Sequence, residues 1–228
     1  MGKNLRQQRR GKGNPRYRSP GHRYFGDVSY RNVSAGTVVD IIHAPGRRSP
    51  LAVVESGGQK DMFLATAGMQ IGQEISGGYG QGNVTELSSI PEGTKICNIE
   101  LNPGDGGRLC RASGTSAMLV TKDENKCTLL MPSKKKMVLS SRCRATVGIV
   151  ASDGRTEKPF MKAGTKHHAM MALGRMYPHT AGVSMNAVDH PFGGQTRPGK
   201  VKTVSRHMPP GKKVGSISPV RTGRKKRK

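Results

Sequence analysis

The sequence predicts an all-β protein, an OB-fold barrel followed by an SH3-like barrel, framed by extended basic N- and C-terminal tails. Three observations predict it. Of the 41 Leu, Ile, Val and Phe residues among 228, 27 fall between Gly36 and Val150, so a hydrophobic core can form there and hardly anywhere else. Within that span short β-branched runs alternate with turns rich in Gly and Pro, which is the texture of small barrels. Lys and Arg number 39 against 14 Asp and Glu, for a net charge of +25, and the first acid is Asp27 and the last Asp189, so both ends are purely basic.

A charge of this size opposes compaction unless a polyanion neutralises it, which makes nucleic acid the first partner to consider. No stretch approaches the roughly 20 apolar residues of a spanning helix, so no membrane partner is expected. The N-terminal run Lys-Asn-Leu-Arg-Gln-Gln-Arg-Arg does not follow a signal-peptide pattern, which points to an intracellular compartment. Without Trp and with four Phe the core must be small, and much of the chain is expected to order fully only against its partner.

Residues 1–35 read as a basic arm. Its first 25 residues hold eight Lys or Arg, no acid and too much Gly and Pro for a core, so it should be extended, with Arg6, Arg9, Arg10, Arg16 and Arg18 on phosphates and Tyr17 stacking on a base. Residues 36–88 read as the first barrel: Thr37 to His43 and Leu51 to Glu55 form a hairpin whose turn carries Arg47 and Arg48, followed by strands at Asp61 to Ala67 and Met69 to Ser76. The glycines from Gly77 to Gly82 do not complete a dinucleotide fingerprint, because Asn83 stands at the third glycine position and no strand-to-helix unit surrounds them.

Residues 89–165 read as the second barrel, with strands at Lys95 to Leu101, Ala117 to Thr121, Cys127 to Met131, Met137 to Ser140 and Ala145 to Ala151. Its connections deliver Arg108 and Arg111, then Lys134 and Lys135, then Arg142 and Arg144, and the same polarity recurring at successive turns suggests an RNA-facing rim. Cys97, Cys110, Cys127 and Cys143 contain no Cys-x-x-Cys pair and neighbour apolar residues, so they read as reduced, buried and structural rather than as a zinc site. Beyond Ala151 the apolar period fades; Arg155, Lys162, Lys166, His167 and Arg175 alternate with small or breaking residues, and Met170 to Met176 suits one or two helical turns. Residues 166–228 then hold a glycine-bounded loop, Gly182 to Gln195, and a cationic tail expected to be disordered, which includes Lys200, Arg221 and Arg224.

That loop invites a catalytic reading, since Asp189 and His190 are adjacent and a histidine beside a carboxylate can act as a general base. Chain adjacency does not ensure the pairing. Gly182-Val183-Ser184-Met185-Asn186 is no nucleophile elbow, because Asn replaces the closing glycine. The competing reading has His190 hydrogen-bonding RNA while Gly193 and Gly194 let the backbone approach phosphate or sugar.

Ala44-Pro45-Gly46-Arg47, Ile90 to Thr94, Pro103-Gly104-Asp105, Arg111 to Gly114, Lys162-Ala163-Gly164 and above all Gly182 to Gly194 resemble the family of the universal second protein of the large ribosomal subunit, protein eight in eukaryotic nomenclature. The resemblance runs over residues 1–224 in one register, and Phe192 makes it the archaeal or eukaryotic type. It implies an OB-fold, an SH3-like barrel and extended tails. It also implies a structural protein rather than an enzyme, one that binds large-subunit rRNA near the peptidyl-transferase centre, helps assemble that region and contributes to subunit association. Asn186, His190, Pro191, Gly193 and Gly194 then match the loop that threads into rRNA. Neighbouring ribosomal proteins and a small-subunit bridge are the implied partners, with no homo-oligomer and no cofactor beyond rRNA-associated Mg2+. The implied place is the cytoplasmic ribosome, with nucleolar assembly if the source is eukaryotic. Ala187 stands where the family has Pro, Gln195 where a third glycine is usual, and the following His-Gln-His is missing. A basic chromatin or mRNA-binding factor outside the ribosome is the remaining alternative, separable by cosedimentation with salt-washed subunits.

Overall fold

The computed structural model describes residues 2–18, 21, 25–29, 35–194 and 202–221. The chain divides into two compact units, one of Pro20–Lys162 and one that joins Met1–Ser19 to Ala163–Lys228. The first unit is built on antiparallel sheets, and both α-helices of the described residues lie in the second.

Four strands form the first sheet: β1 (Gly36–Ile42), β2 (Leu51–Ser56), β3 (Gln59–Leu64) and β4 (Glu74–Ile75), in the order β3-β2-β1-β4. The β2 to β3 turn is the pair Gly57-Gly58, both at positive φ, which is the backbone a tight two-residue hairpin needs. Strand β2 is buried at four successive residues because it has apolar neighbours on both faces. Ala52 and Val54 join Val38, Phe63 and Ile75 on one side, while Leu51 meets Leu64, Ala44 and Val28 on the other. The strand expected from Met69 to Ser76 shrinks to Glu74 and Ile75. Turn bonds from the Met69 amide to the Thr66 carbonyl and from Gln73 to Gln70, with Gly72 at φ 83°, divert the rest.

The second sheet has six strands rather than the expected five: β5 (Val84–Glu86), β6 (Lys95–Cys97), β7 (Ala117–Lys122), β8 (Lys126–Leu130), β9 (Lys136–Ser140) and β10 (Arg144–Val147). Their order is β5-β10-β6-β7-β8-β9, a meander whose last strand returns between β5 and β6. Since β5 pairs with β10, the second sheet begins before the boundary drawn between residues 88 and 89; three residues are too few for a periodic signal. Leu87, Ile90, Ile96, Ile99, Leu119 and Leu129 fill its core together with Cys127 and Cys143. Each such Leu or Ile stabilises the fold by about 1.5 to 3 kcal/mol of burial. The four cysteines are free, and Cys97, Cys127 and Cys143 are buried as expected, whereas Cys110 is half-exposed and adopts φ 51°. A bridge between Thr66 and Val150, flanked by bonds from Ala67 to Ile149 and from Ala151 to Ala65, ties the two sheets into one body.

Within this body Glu100 is fully buried and carries a carboxylate. One oxygen accepts from the Arg144 guanidinium at 3.0 Å and from the Gly106 amide at 3.1 Å; the other accepts from the amides of Arg144 at 2.9 Å and Gly104 at 3.2 Å. Asp105 closes the same turn by accepting from the amides of Leu101, Asn102 and Gly107. Two acids thereby fix the Pro103 to Gly107 turn and aim Arg108 outward.

In the other unit α1 (Arg6–Gly11) and α2 (Ala163–Ala172) replace the extended arm and the short helical turn expected from sequence. Leu5, buried, precedes α1, and its amide donates to the Gln8 side chain at 2.8 Å, a local cap that offsets the like-charged Arg6 and Arg10 one turn apart. Helix α2 begins well before Met170 because Ala163, Ala169 and Ala172 favour helix and Gly164 sits in the first turn, where its amide has no helical partner to lose. The C-terminal tail is not uniformly irregular either: β11 (Thr203–Val204) pairs in parallel with β12 (Ser216–Ile217), and Val214 is buried.

Replacing Glu100 by Leu leaves the Arg144 guanidinium and three amides without their acceptor. The substitution is expected to cost about 3 to 5 kcal/mol, read as a lower denaturant midpoint of the full chain. An unchanged midpoint would show that the carboxylate does not organise this barrel.

Candidate nucleic-acid interface

The loop that stood out in the sequence is closed by its own backbone. The amides of Asp189 and His190 both donate to the Asn186 carbonyl, Gly193 donates to His190, and Gly194 donates to Met185. Gly193 is buried against the Asn186 and Met185 carbonyls, where a Cβ would overlap backbone oxygen, and Gly182 lies so close to the His190 ring that a Cβ there would collide with it. Phe192 stacks obliquely on His190, with ring centroids 5.0 Å apart, and its ring touches Gly215.

This geometry decides against the catalytic reading of Asp189 and His190. The Phe192 amide donates to His190 Nδ1 at 3.0 Å, so Nδ1 is an acceptor and the proton of the neutral ring lies on Nε2. Asp189 is turned elsewhere, onto the Lys3 ammonium at 3.2 Å, while the Lys3 amide donates to the Val188 carbonyl. Burial, and then the nearby positive charge of Arg6, push the His190 pKa below its ordinary 6.5. The ring is therefore a neutral wedge at pH 7.

The N-terminal segment lies along the same unit. Arg6 donates to the Thr180 carbonyl, Arg16 to the Tyr177 carbonyl at 3.3 Å, and the Tyr17 hydroxyl to the Met176 sulfur at 3.4 Å. Gly174, at φ 63°, permits this approach, since a Cβ there would sit 2.8 Å from the Tyr17 carbonyl oxygen. The fold thus brings Arg6, Arg9, Arg10, Tyr17, Arg175 and His190 around one cavity. Sequence reasoning missed Lys3 and Tyr177. Lys166 rests over the Tyr177 ring at 5.0 Å; Tyr177 is flanked by Met176 and Pro178 rather than by arginines as Tyr17 is, so no local charge pattern marked it.

On the barrel unit, Arg111, Lys135 and Lys136 meet around an open groove of about 570 Å3 whose walls include Cys110, Met131 and Met137. Two of the cation-bearing turns therefore share a side. Arg108, Lys134 and Arg142 are exposed; Lys134 occupies the left-handed region at φ 62° in its turn. Other cations are engaged by the fold. Arg111 donates to the carbonyls of Gly107 and Val28, Arg144 to Glu100, Arg155 to the Ser113 hydroxyl, and Arg47 to the Gly26 carbonyl, with Asp27 at 3.9 Å. Arg48 is half-buried, Arg18, Lys162 and Arg221 are exposed, and His167 packs edge-on against His168. Asn186 and Gly194 lie on the exposed side of the loop. Lys200, Arg224 and the departure at Gln195 fall outside the described residues.

The family described as "Ribosomal Proteins L2, C-terminal domain" matches residues 80–214. Over nearly the whole length the chain is similar to archaeal proteins named large ribosomal subunit protein uL2. It is 49% identical to that of Haloarcula marismortui, covering 98% of each chain, and 51% identical to that of Natronomonas pharaonis, covering 98% of this chain and 97% of the relative. The relative from Methanothermobacter thermautotrophicus is 49% identical over 99% of this chain and all of its own.

The lowered pKa of His190 has a defined pH consequence. Above 6.5 the ring is neutral both folded and unfolded; as pH falls below 6.5 the unfolded chain takes the proton first, so loop stability is lost as pH drops toward the folded value. Protonation of Nδ1 also removes the acceptor for the Phe192 amide. Hydrogen exchange at that amide is expected to lose protection below pH 6.5, beyond the intrinsic trend, and His190→Ala is expected to abolish the pH dependence.

Proposed function

Because the chain belongs to the ribosomal protein L2 family, we propose that it binds large-subunit rRNA close to the peptidyl-transferase centre, supports the assembly of that region and contributes to subunit association during translation. It is a structural ribosomal protein and not an enzyme. The observation that carries the rRNA reading is the net charge of +25, with 39 Lys and Arg against 14 Asp and Glu, and the exposure of Arg108, Lys134, Lys135 and Arg142 on one unit and of Arg9, Arg10 and Arg175 on the other. Exposed cations on both units are left for phosphates.

The geometry supports two modes of contact in this reading. The exposed Arg108, Lys134, Lys135 and Arg142 neutralise phosphates and release counterions, a contribution blind to sequence and strongly dependent on salt. The loop from Gly182 to Gly194 is a closed, glycine-packed element that holds one shape before it meets RNA, and its small residues allow backbone and base or sugar to come close. Neighbouring ribosomal proteins and a small-subunit contact are the further partners of this reading.

Salt titration tests the first mode. The full chain is expected to bind large-subunit rRNA with a steep dependence of log K on log salt, and the pair Lys134→Ala with Lys135→Ala is expected to reduce that slope by about 0.9 per phosphate contact removed. A flat slope would exclude phosphate contact as the source of affinity. For the loop, Gly193→Ala is expected to reduce incorporation into large subunits that survive a high-salt wash. Fully assembled, normally shaped subunits that have lost peptide transfer alone would count against a structural role.

A further inference from the structure

A cavity of about 890 Å3 opens in the unit that joins the N-terminal segment to residues 163–221. Its volume lies within the range of about 300 to 1,000 Å3 of sites that enclose a small ligand. A double helix is far too wide to enter it.

The lining has two chemistries. Tyr17, Tyr177, Met170 and Met176 give it a flat, polarisable interior, the Tyr17 hydroxyl being already committed to the Met176 sulfur. Arg9, Arg10 and Arg175 line it as cations, and Arg9, Arg10 and Arg175 are exposed. Aromatic faces accept any base by stacking, and guanidinium forks match phosphate oxygens. At the wall, Arg6 gives Nη2 to the Thr180 carbonyl while its Nη1 is buried without a partner among the described residues. His190 uses Nδ1 as an acceptor, which leaves Nε2–H to donate. The one carboxylate of the lining, Asp189, is held by Lys3. An occupant is thus asked for acceptors and negative charge outside a planar apolar body.

We propose that this cavity receives a single nucleotide of the bound RNA, extruded from its stack, with the base between Tyr17 and Tyr177 and its flanking phosphates on Arg9, Arg10 and Arg175. This deepens the RNA-binding reading above and rests on it. The Arg6 charge, short of one hydrogen-bond partner, and the His190 Nε2–H face acceptor groups of the base. Unstacking costs a few kcal/mol for a base in a duplex and least for one in a loop or bulge, so the nucleotide belongs to an unpaired segment.

Ultraviolet crosslinking of the full chain to large-subunit rRNA, followed by mass spectrometry of the adducts, tests this. A one-nucleotide adduct is expected on the peptide bearing Tyr17 or Tyr177. Met170→Trp, which fills the cavity, is expected to reduce that adduct by about tenfold, the loss for one displaced stacked base. Arg175→Ala, on an exposed side chain with no side-chain bond among the described residues, reduces it severalfold without any demand on folding. Adducts elsewhere stay unchanged in both variants, and Arg175→Ala lowers the salt slope by about 0.9, the one phosphate contact it removes. If the chain binds rRNA but gives no adduct at either tyrosine, or gives one that both variants leave intact, the cavity proposal is overturned while RNA binding stands. Failure to bind rRNA even at low salt overturns the underlying reading as well.

Discussion

The barrel unit depends on a carboxylate that has no contact with water. Glu100 holds Arg144 and three backbone amides at once, so β10, the Pro103 to Gly107 turn and the end of the preceding strand are fixed to one another through a single side chain. In a chain with 39 basic and 14 acidic residues, a few of the acids are placed where they organise the backbone. Glu100 and Asp105 shape a turn whose neighbour Arg108 faces solvent, and Asp189 fastens Lys3 to the loop. A buried ion pair is favourable only when its remaining hydrogen-bonding sites are filled, and the Gly104, Gly106 and Arg144 amides fill them.

Cations in this chain accordingly fall into two physical groups. Arg111, Arg144 and Arg155 are half-buried and donate to named internal acceptors, so they act first on the fold. Arg108, Lys134, Lys135 and Arg142 point to solvent, where a phosphate can replace water at little cost. Removing one of the first group is expected to disturb folding before it disturbs binding, which is why charge alone is a poor guide to which arginine touches RNA.

The loop from Gly182 to Gly194 works by exclusion as much as by contact. Gly182 leaves room for the His190 ring, Gly193 leaves room for two carbonyls, and Gly215 leaves room for Phe192. The imidazole is held by the Phe192 amide rather than by a carboxylate, which removes the arrangement that general-base chemistry would need. A neutral wedge fixed in a small backbone frame gives the loop a single, rigid surface.

Read alone, the sequence determined the β class, the place of the core and the strands from Thr37, Leu51, Ala117, Cys127 and Met137, because β-branched runs between turns report their own burial. It also singled out the loop, because no periodic structure accounts for Met185 to Gly194 and the resemblance rests most heavily there. The tertiary structure decided the rest. Strand β5 exists because β10 returns beside it, and α1, which carries like charges one turn apart, lies in the same compact unit as residues 163–221. β11 and β12 are two residues each and exist only as a pair. Asp189 looked like the partner of His190 because the two are adjacent in the chain, yet folding placed Lys3 against the carboxylate and the Phe192 amide against the ring. Local pattern is written in the order of residues; which charge meets which depends on contacts between distant segments, and only the folded chain supplies those.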